Sequence, residues 1–214
     1  MMLTEIILSV LIAAVLTFAG SRWIDFLYKM PTAPLSFPQD IERRAKFRKP
    51  CLFALLILCF VKLSAIPMPL KIYTAAEIFF LALIIFTDFE QYVIFDKMLI
   101  PFALIGVIAI VHLNLPIFDR IIAAVIGGGI FLLIALLTSG GIGGGDIKLV
   151  AVLGLWLGIE NLLNVVIIAC IGGGICAGIM ILLKMKSRKS YFAYGPYFAL
   201  AAIFITLFEG VLLC

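Results

Sequence analysis

Residues 120–138 read RIIAAVIGGGIFLLIALLT, and residues 139–149 continue SGGIGGGDIKL. The first stretch holds no polar side chain between Ile121 and Leu137. That is close to the roughly 20 residues an α-helix needs to cross the ~30 Å hydrocarbon core of a bilayer. The second stretch interrupts the apolar sequence with glycines, then places a carboxylate, Asp146, at the mouth of the next run. The same alternation of long apolar run and short polar break recurs along the chain. Apolar segments fall at about 3–19, 51–68, 73–88, 97–113, 120–138, 147–159, 161–183 and 193–213. Backbone amides in lipid must be satisfied within their own segment, so each run is expected to be helical. Strand alternation is absent, which argues against an outer-membrane barrel. The expected fold is all-α, a polytopic membrane protein with about eight transmembrane helices. The sixth segment is short and is expected to begin in a re-entrant or cavity-lining stretch.

Composition points the same way. The 214 residues are 65% hydrophobic and 13% charged. A soluble domain averages about 45–50% apolar and about 25% charged residues, and so apolar a chain could not cover a soluble surface with polar groups. Residues 1–50 are expected to form an N-terminal transmembrane helix and a short basic cytoplasmic loop. Residues 51–214 would form the membrane-embedded core. Met1 to Glu5 contains an acid and no Lys or Arg, the wrong charge for the start of a signal peptide, so the first segment reads as a retained helix.

Lys and Arg in short loops set orientation. The Ser21–Pro50 loop carries Arg22, Lys29, Arg43, Arg44, Lys46, Arg48 and Lys49, and the Lys184–Ser190 loop carries Lys184, Lys186, Arg188 and Lys189. Both are expected in the cytoplasm, together with the Glu90–Lys97 and Ser139–Lys148 connections. With eight spans, both termini then lie outside. Asp40–Lys49 is expected to form a short interfacial helix with its basic face on anionic lipid. The location expected is the inner, or cytoplasmic, membrane.

Five cysteines (Cys51, Cys59, Cys170, Cys176 and Cys214) lie in or beside apolar runs and form no Cys-x-x-Cys pair. They read as small hydrophobes. The single His112 has no partner in sequence. No His/Glu constellation suggests a zinc ion, and neither metal nor cofactor is expected.

Three triple-glycine runs occur, at Gly127–Gly129, Gly143–Gly145 and Gly172–Gly174. The outer two sit inside apolar segments and read as surfaces where helix backbones approach closely. The middle run makes a pliable stretch that ends on Asp146. An acid at the edge of a bilayer segment is costly and is a functional candidate by default. The plainer role is an N-cap that accepts the first free amides of a helix. A second acidic group follows the apolar run 78–86: Asp88, Glu90 and Asp96. By the topology above, Asp88, Asp96 and Asp146 all reach the cytoplasmic face, and Glu90 is expected to be a solvated loop acid.

Two carboxylates that meet at one water can hydrolyse an amide if they share a proton, one acting as base toward water and the other as proton donor. The same acids could instead bind ions in a transporter. Between Asp88 and Asp96 as partner for Asp146, Asp88 ends an apolar segment, whereas Asp96 is followed at once by Lys97, whose charge favours a simple ionised carboxylate.

Residues 143–149, GGGDIKL, resemble the Gly-x-Gly-Asp-x-Lys-Leu motif of the type IV prepilin peptidases, and Val150–Gly154 continues the likeness. Asp88 followed by Asp96 resembles the family's first motif, and Tyr194-Gly195-Pro196-Tyr197 its final Gly-Pro. The likeness covers roughly residues 78–200. It implies a membrane aspartyl peptidase with Asp88 and Asp146 as catalytic acids and Gly143 and Gly145 as active-site-loop glycines. Its substrate would be pilin-like precursors, cut at the cytoplasmic membrane face to remove a leader peptide. The other partner is the lipid bilayer, and no nucleic acid is implied. Presenilin-type proteases share the Gly-x-Gly-Asp element, but the Asp-Ile-Lys-Leu continuation and the spacing of the first two acids favour the prepilin type. Two departures stand out. Phe95 replaces the usual Pro before the second acid, and the first loop lacks the paired Cys-x-x-Cys motifs of many members. Any methyl transfer is accordingly expected to be zinc-independent or absent.

A topology reporter fused after Lys189 should register cytoplasm, and one fused at Cys214 the outside. The opposite pattern would overturn the orientation drawn from the basic loops.

Overall fold

Apolar runs of this length have one way to satisfy their amides in lipid, and every regular element among the described residues is helical. The computed structural model describes residues 2–31, 33–63, 66–139, 141–184 and 193–209. Helix α1 spans Met2–Tyr28, and α2 is a single turn at Ile41–Arg44 between two 3₁₀ turns. Next come α3 at Arg48–Leu63, α4 at Leu70–Gln91, α5 at Asp96–His112 and α6 at Ile117–Leu137. Helix α7 covers Gly144–Leu182 and α8 covers Gly195–Glu209.

Four of these helices (α1, α4, α6 and α7) are long and apolar enough to cross a membrane, while α3 and α5 have 16 and 17 residues. The outer surface carries large aliphatic side chains such as Leu133, Leu136 and Leu137 of α6, far more than water would tolerate. This is a membrane protein. The basic residues Lys186, Arg188 and Lys189, and Cys214, lie outside the described residues.

Helix α7 resolves the short sixth segment. It is continuous in the chain but is two rods, because Gly158 has φ 77° and ψ −179°. That backbone conformation is open to glycine and strained for other residues, and a Cβ there would also strike Asp119. The expected segments 147–159 and 161–183 are therefore joined at a one-residue break. The first rod begins at Gly144.

Helix α4 is the hub. Of its apolar window, 61% is buried inside the protein, against 17–22% for the other three long helices. An aromatic chain runs through it from α1 to α7. Trp23 meets Phe80 edge-on at 5.9 Å, Phe80 stacks on Phe102 at 5.6 Å, and Phe102 stacks on Trp156 at 5.3 Å. The Trp156 indole N–H donates to the Phe102 carbonyl at 3.1 Å, so the buried ring's polar atom is satisfied.

Small residues let α6 and α7 touch. Gly127 and Gly128 lie against Val150, Ala151 and Leu162 of α7, and Gly154 meets the backbone of Ala123 and Ala124. Gly173 lies against the Tyr194 ring, whereas Gly129 and Gly174 face open space. Packing thus uses part of each outer glycine run.

The loop after α1 departs from the expected lipid-facing role in two places. Arg43, Lys46 and Lys49 are exposed, but Arg48 is buried and Arg44 turns inward. Arg44 donates to the carbonyls of Glu90 at 3.1 Å and Phe89 at 3.5 Å and lies over the Phe37 ring. A cation on the last carbonyls of α4 is favourable.

Replacing Gly154 by Ala puts a Cβ 2.5–2.6 Å from backbone atoms of α6. Overpacking of this kind costs about 1–3 kcal/mol. Thermal unfolding in detergent should show Gly154→Ala clearly destabilised and Gly129→Ala at least as stable as the parent. Equal melting of the two variants would remove close backbone approach as the reason for Gly154.

Candidate active site

The end of α4 and the start of α7 meet at a cavity of about 530 Å³. Asp88 lies in the last turn of α4 and is 5% exposed. Below it the helix stops at Tyr92, which adopts the left-handed conformation (φ 53°, ψ 41°) and donates its N–H to the Asp88 carbonyl at 2.9 Å. Such a conformation costs a non-glycine residue roughly 1–2 kcal/mol, so its surroundings must hold it. The Phe37 ring meets Tyr92 edge-on at 5.2 Å. The neighbouring Gln91 amide is buried and bonds both the N–H and the carbonyl of Phe37, at 2.9 and 3.1 Å.

Asp146 enters from the other side. Gly143, in an extended conformation, is the N-cap of α7, which puts Asp146 at the third helical position. Its carboxylate reaches back to the Gly143 amide, the acid half of a capping box. Asp146 therefore does serve the helix start, but from the third position and not as the N-cap expected. Gly145 allows a different contact: a Cβ there would stand 3.0 Å from Cβ of Ile94, in the coil between α4 and α5. That close approach sets the glycine loop against the segment following Asp88.

The third element is the start of α8. The backbone N–H of Gly195 lies against both carboxylates, and Asp88 and Asp146 interact with each other electrostatically. A Cβ at Gly195 would fall 2.6 Å from Asp88 Oδ2 and 2.9 Å from Ile94. Asp88 Oδ2 is buried with no hydrogen-bond partner among the described residues. Two acids thus share one amide at one cavity, with an acceptor oxygen left over.

Asp96 lines the same cavity but is engaged elsewhere. Lys148 Nζ donates to both of its oxygens, at 2.7 and 2.8 Å. The cation that neutralises Asp96 is therefore Lys148 and not its neighbour Lys97, whose Nζ contacts Met30 Sδ at 3.1 Å. Asp88 and Asp96 also do not share a helix, because residues 92–95 are coil between α4 and α5. His112 sits at the opposite end of α5, hydrogen-bonded to the Tyr73 hydroxyl at 2.7 Å. Among the described residues no three His, Cys, Asp or Glu side chains are grouped to hold a metal ion.

Glu90 corrects the sequence reading. It is 4% exposed rather than solvated. Its Oε2 accepts the Tyr28 hydroxyl at 3.0 Å and pairs with Arg48 Nη1 at 3.3 Å, while Arg48 also binds Asp25. A buried charge must be paired, and here the pairing ties α1 and α3 to the last turn of α4. Nothing in the order of residues joins Asp25, Tyr28, Arg48 and Glu90. Gly195 is the other functional group the motif reading left without a role; the Gly-Pro dipeptide was its only signal.

Among known proteins, the model of the type IV leader peptidase family matches residues 75–178, which include Asp88, Asp96 and the whole glycine loop. That stretch, just under half of the chain, is similar to the type IV leader peptidase family. A prepilin leader peptidase/N-methyltransferase of Xanthomonas campestris pv. campestris is 27% identical over 129 residues, covering 58% of this chain and 45% of that protein. One from Aeromonas salmonicida is 30% identical over 122 residues, covering 54% and 42%. Another, from Pectobacterium carotovorum subsp. carotovorum, is 35% identical over 69 residues, covering 32% and 25%. The chain thus spans less than half the length of these relatives. No solved structure matches it.

The Asp96–Lys148 pair is more than half exposed on both sides, and exposed pairs are worth about 0–1 kcal/mol. A double-mutant cycle with Asp96→Asn and Lys148→Gln should give a coupling below about 1 kcal/mol in detergent unfolding. A coupling several times larger would make the pair a main structural tie of the site.

Proposed function

We propose that the chain is a membrane endopeptidase that removes the leader from type IV prepilin-like precursors at the cytoplasmic membrane face, with Asp88 and Asp146 as an aspartate dyad. The observation that carries this reading is the shared position of the two acids: separate helices bring them to one cavity and to one backbone amide. The relatives' names supply the substrate class.

The proposed chemistry follows from the pair. One carboxyl is ionised and takes a proton from water as the water oxygen bonds to the scissile carbonyl carbon. The other is protonated and gives its proton to the carbonyl oxygen. On collapse of the tetrahedral intermediate the C–N bond breaks, the amine leaves with the proton the first carboxyl acquired, and one hydroxyl returns its proton to the second carboxyl as the new carbonyl forms. Two adjacent carboxyls that cannot both ionise cheaply are suited to this exchange. The Gly195 amide stabilises whichever carboxyl is ionised, and the Gly143 amide adds to this for Asp146. Asp96, neutralised by Lys148, stays outside the exchange.

Eight membrane crossings, with both termini outside, are part of the proposal. The two rods of α7 supply the sixth and seventh. The coil after α4, the glycine loop and the turn after α1, all expected in the cytoplasm, line the one cavity, which supports placing the dyad at that face. Any methyl transfer is proposed to be zinc-independent or absent, because the loop before α3 has no cysteine to build the motifs linked to it.

Co-expression with a prepilin and a gel shift for leader loss tests the proposal. Asp88→Asn and Asp146→Asn should each abolish cleavage while the protein still inserts, since Asn keeps the shape but cannot exchange the proton. Asp96→Asn should retain most activity. An active Asp88→Asn beside an inactive Asp96→Asn would refute this dyad. Normal cleavage by both Asp88→Asn and Asp146→Asn would remove the aspartyl mechanism.

A further inference from the structure

A second buried polar cluster lies at the other end of the helices that form the site. Glu77 precedes Asp88 on α4 by about three turns, or roughly 16 Å at ~1.5 Å per residue. It is 1% exposed. Thr206 follows Gly195 on α8 by the same interval, and its hydroxyl donates to Glu77 Oε1 at 3.0 Å. Leu155 and Trp156 follow Asp146 on α7 by nearly as much. Their carbonyls accept from Arg120 Nη1, at 3.3 Å for Leu155 and in a shorter contact for Trp156. Arg120 belongs to α6, is 3% exposed, and interacts electrostatically with Glu77. Each helix that brings a group to the dyad therefore brings a second group to Arg120 or to its partner Glu77.

The neighbouring Asp119 completes the junction. Its Oδ2 accepts the N–H of Ile159 at 3.2 Å. Ile159 lies just past the Gly158 break. Consecutive side chains of α6 thus serve both rods of α7: Arg120 takes the last carbonyls of the first rod, and Asp119 takes the first amide of the second. Helix ends buried without such partners are costly. The contact of Gly154 with Ala123 and Ala124 brings the two backbones together at the same level.

Lever arms make this cluster matter to the dyad. A tilt of about 5° in a rod roughly 14 Å long moves its far end by about 1 Å. Misplacing a reacting group by about 1 Å can cost on the order of 100-fold in rate. Buried opposite charges add little to stability beyond what an apolar replacement would give, so stability alone does not call for these two groups here.

We propose that Arg120 is a positioning residue: with Glu77, Thr206 and the Leu155 and Trp156 carbonyls it sets the register of α4, α7 and α8, and so the spacing of Asp88 and Asp146. The proposal rests on the dyad assignment above.

The test reads geometry apart from turnover. Cys51, Cys59, Cys170, Cys176 and Cys214 are replaced by Ser, Asp88→Cys and Asp146→Cys are introduced, and the rate of oxidative cross-linking in membranes is measured. In the parent with both acids intact, kcat and KM are measured on a prepilin. Removing one charge would strand the other in the interior, so the main variant is the double neutral one, Glu77→Gln with Arg120→Gln. It should accumulate, cross-link at least about threefold more slowly, and lose on the order of tenfold in kcat with KM within about twofold, the pattern of lost transition-state alignment. Unchanged cross-linking overturns the proposal whatever the activity. Slower cross-linking in a chain that never cleaves a leader supports it and sinks the peptidase reading instead. If the double variant does not accumulate, Thr206→Val, which removes a hydroxyl and no charge, decides on the same readouts in the same sense.

Discussion

A carboxylate at the end of a helix packed in lipid has to find its partners inside the protein. Water does not reach it freely, and an unpaired charge there costs several kcal/mol. Much of this structure is arranged around that requirement. Glu90 is paired with Arg48 and Tyr28, Glu77 faces Arg120 and Thr206, and Asp119 holds an amide at the break in α7. Asp88 and Asp146 face each other instead. They share the amide of Gly195, and Asp88 keeps a buried oxygen with no hydrogen-bond partner among the described residues. Chemistry is proposed at this place, where two acids face each other across one amide.

Glycine serves this arrangement in three physically different ways. At Gly154 and Gly127 it lets α6 and α7 approach closely. At Gly158 it allows a backbone angle that ends one rod and begins another. At Gly145 and Gly195 it clears room beside Ile94 and Asp88, so that a helix start can be brought up to the end of α4. A methyl group at either site would push an acid-bearing element away from its partner. Gly143 adds the amide that Asp146 accepts.

The all-helical fold was legible in the sequence for an elementary reason. Lipid removes every alternative to internal backbone hydrogen bonding, so length and apolarity suffice to place helices. The expected segments at 51–68, 73–88, 97–113 and 120–138 lie on α3 to α6 within a few residues. Ends were less legible. Helix α1 runs on to Tyr28, well past position 19, because Ile24, Leu27 and Tyr28 find buried contacts that hydropathy does not record. Lys148, not Lys97, neutralises Asp96, and that pairing was hidden because Lys148 is distant in sequence and adjacent only across the cavity. Glu90 looked like a loop acid because its partners Tyr28 and Arg48 lie far upstream.

By itself, the sequence determined that this is a helical membrane protein, and that Asp88, Asp96, Gly143, Gly145 and Asp146 are the residues to examine. Period, composition and spacing are local properties, and those conclusions needed only local information. The tertiary structure alone decided which acid faces Asp146, that Lys148 occupies Asp96, that one amide from α8 lies between the two acids, and that Arg120 links the same helices at their far ends. Each of these is a contact between segments tens of residues apart, fixed by how rigid rods pack rather than by what any one of them contains.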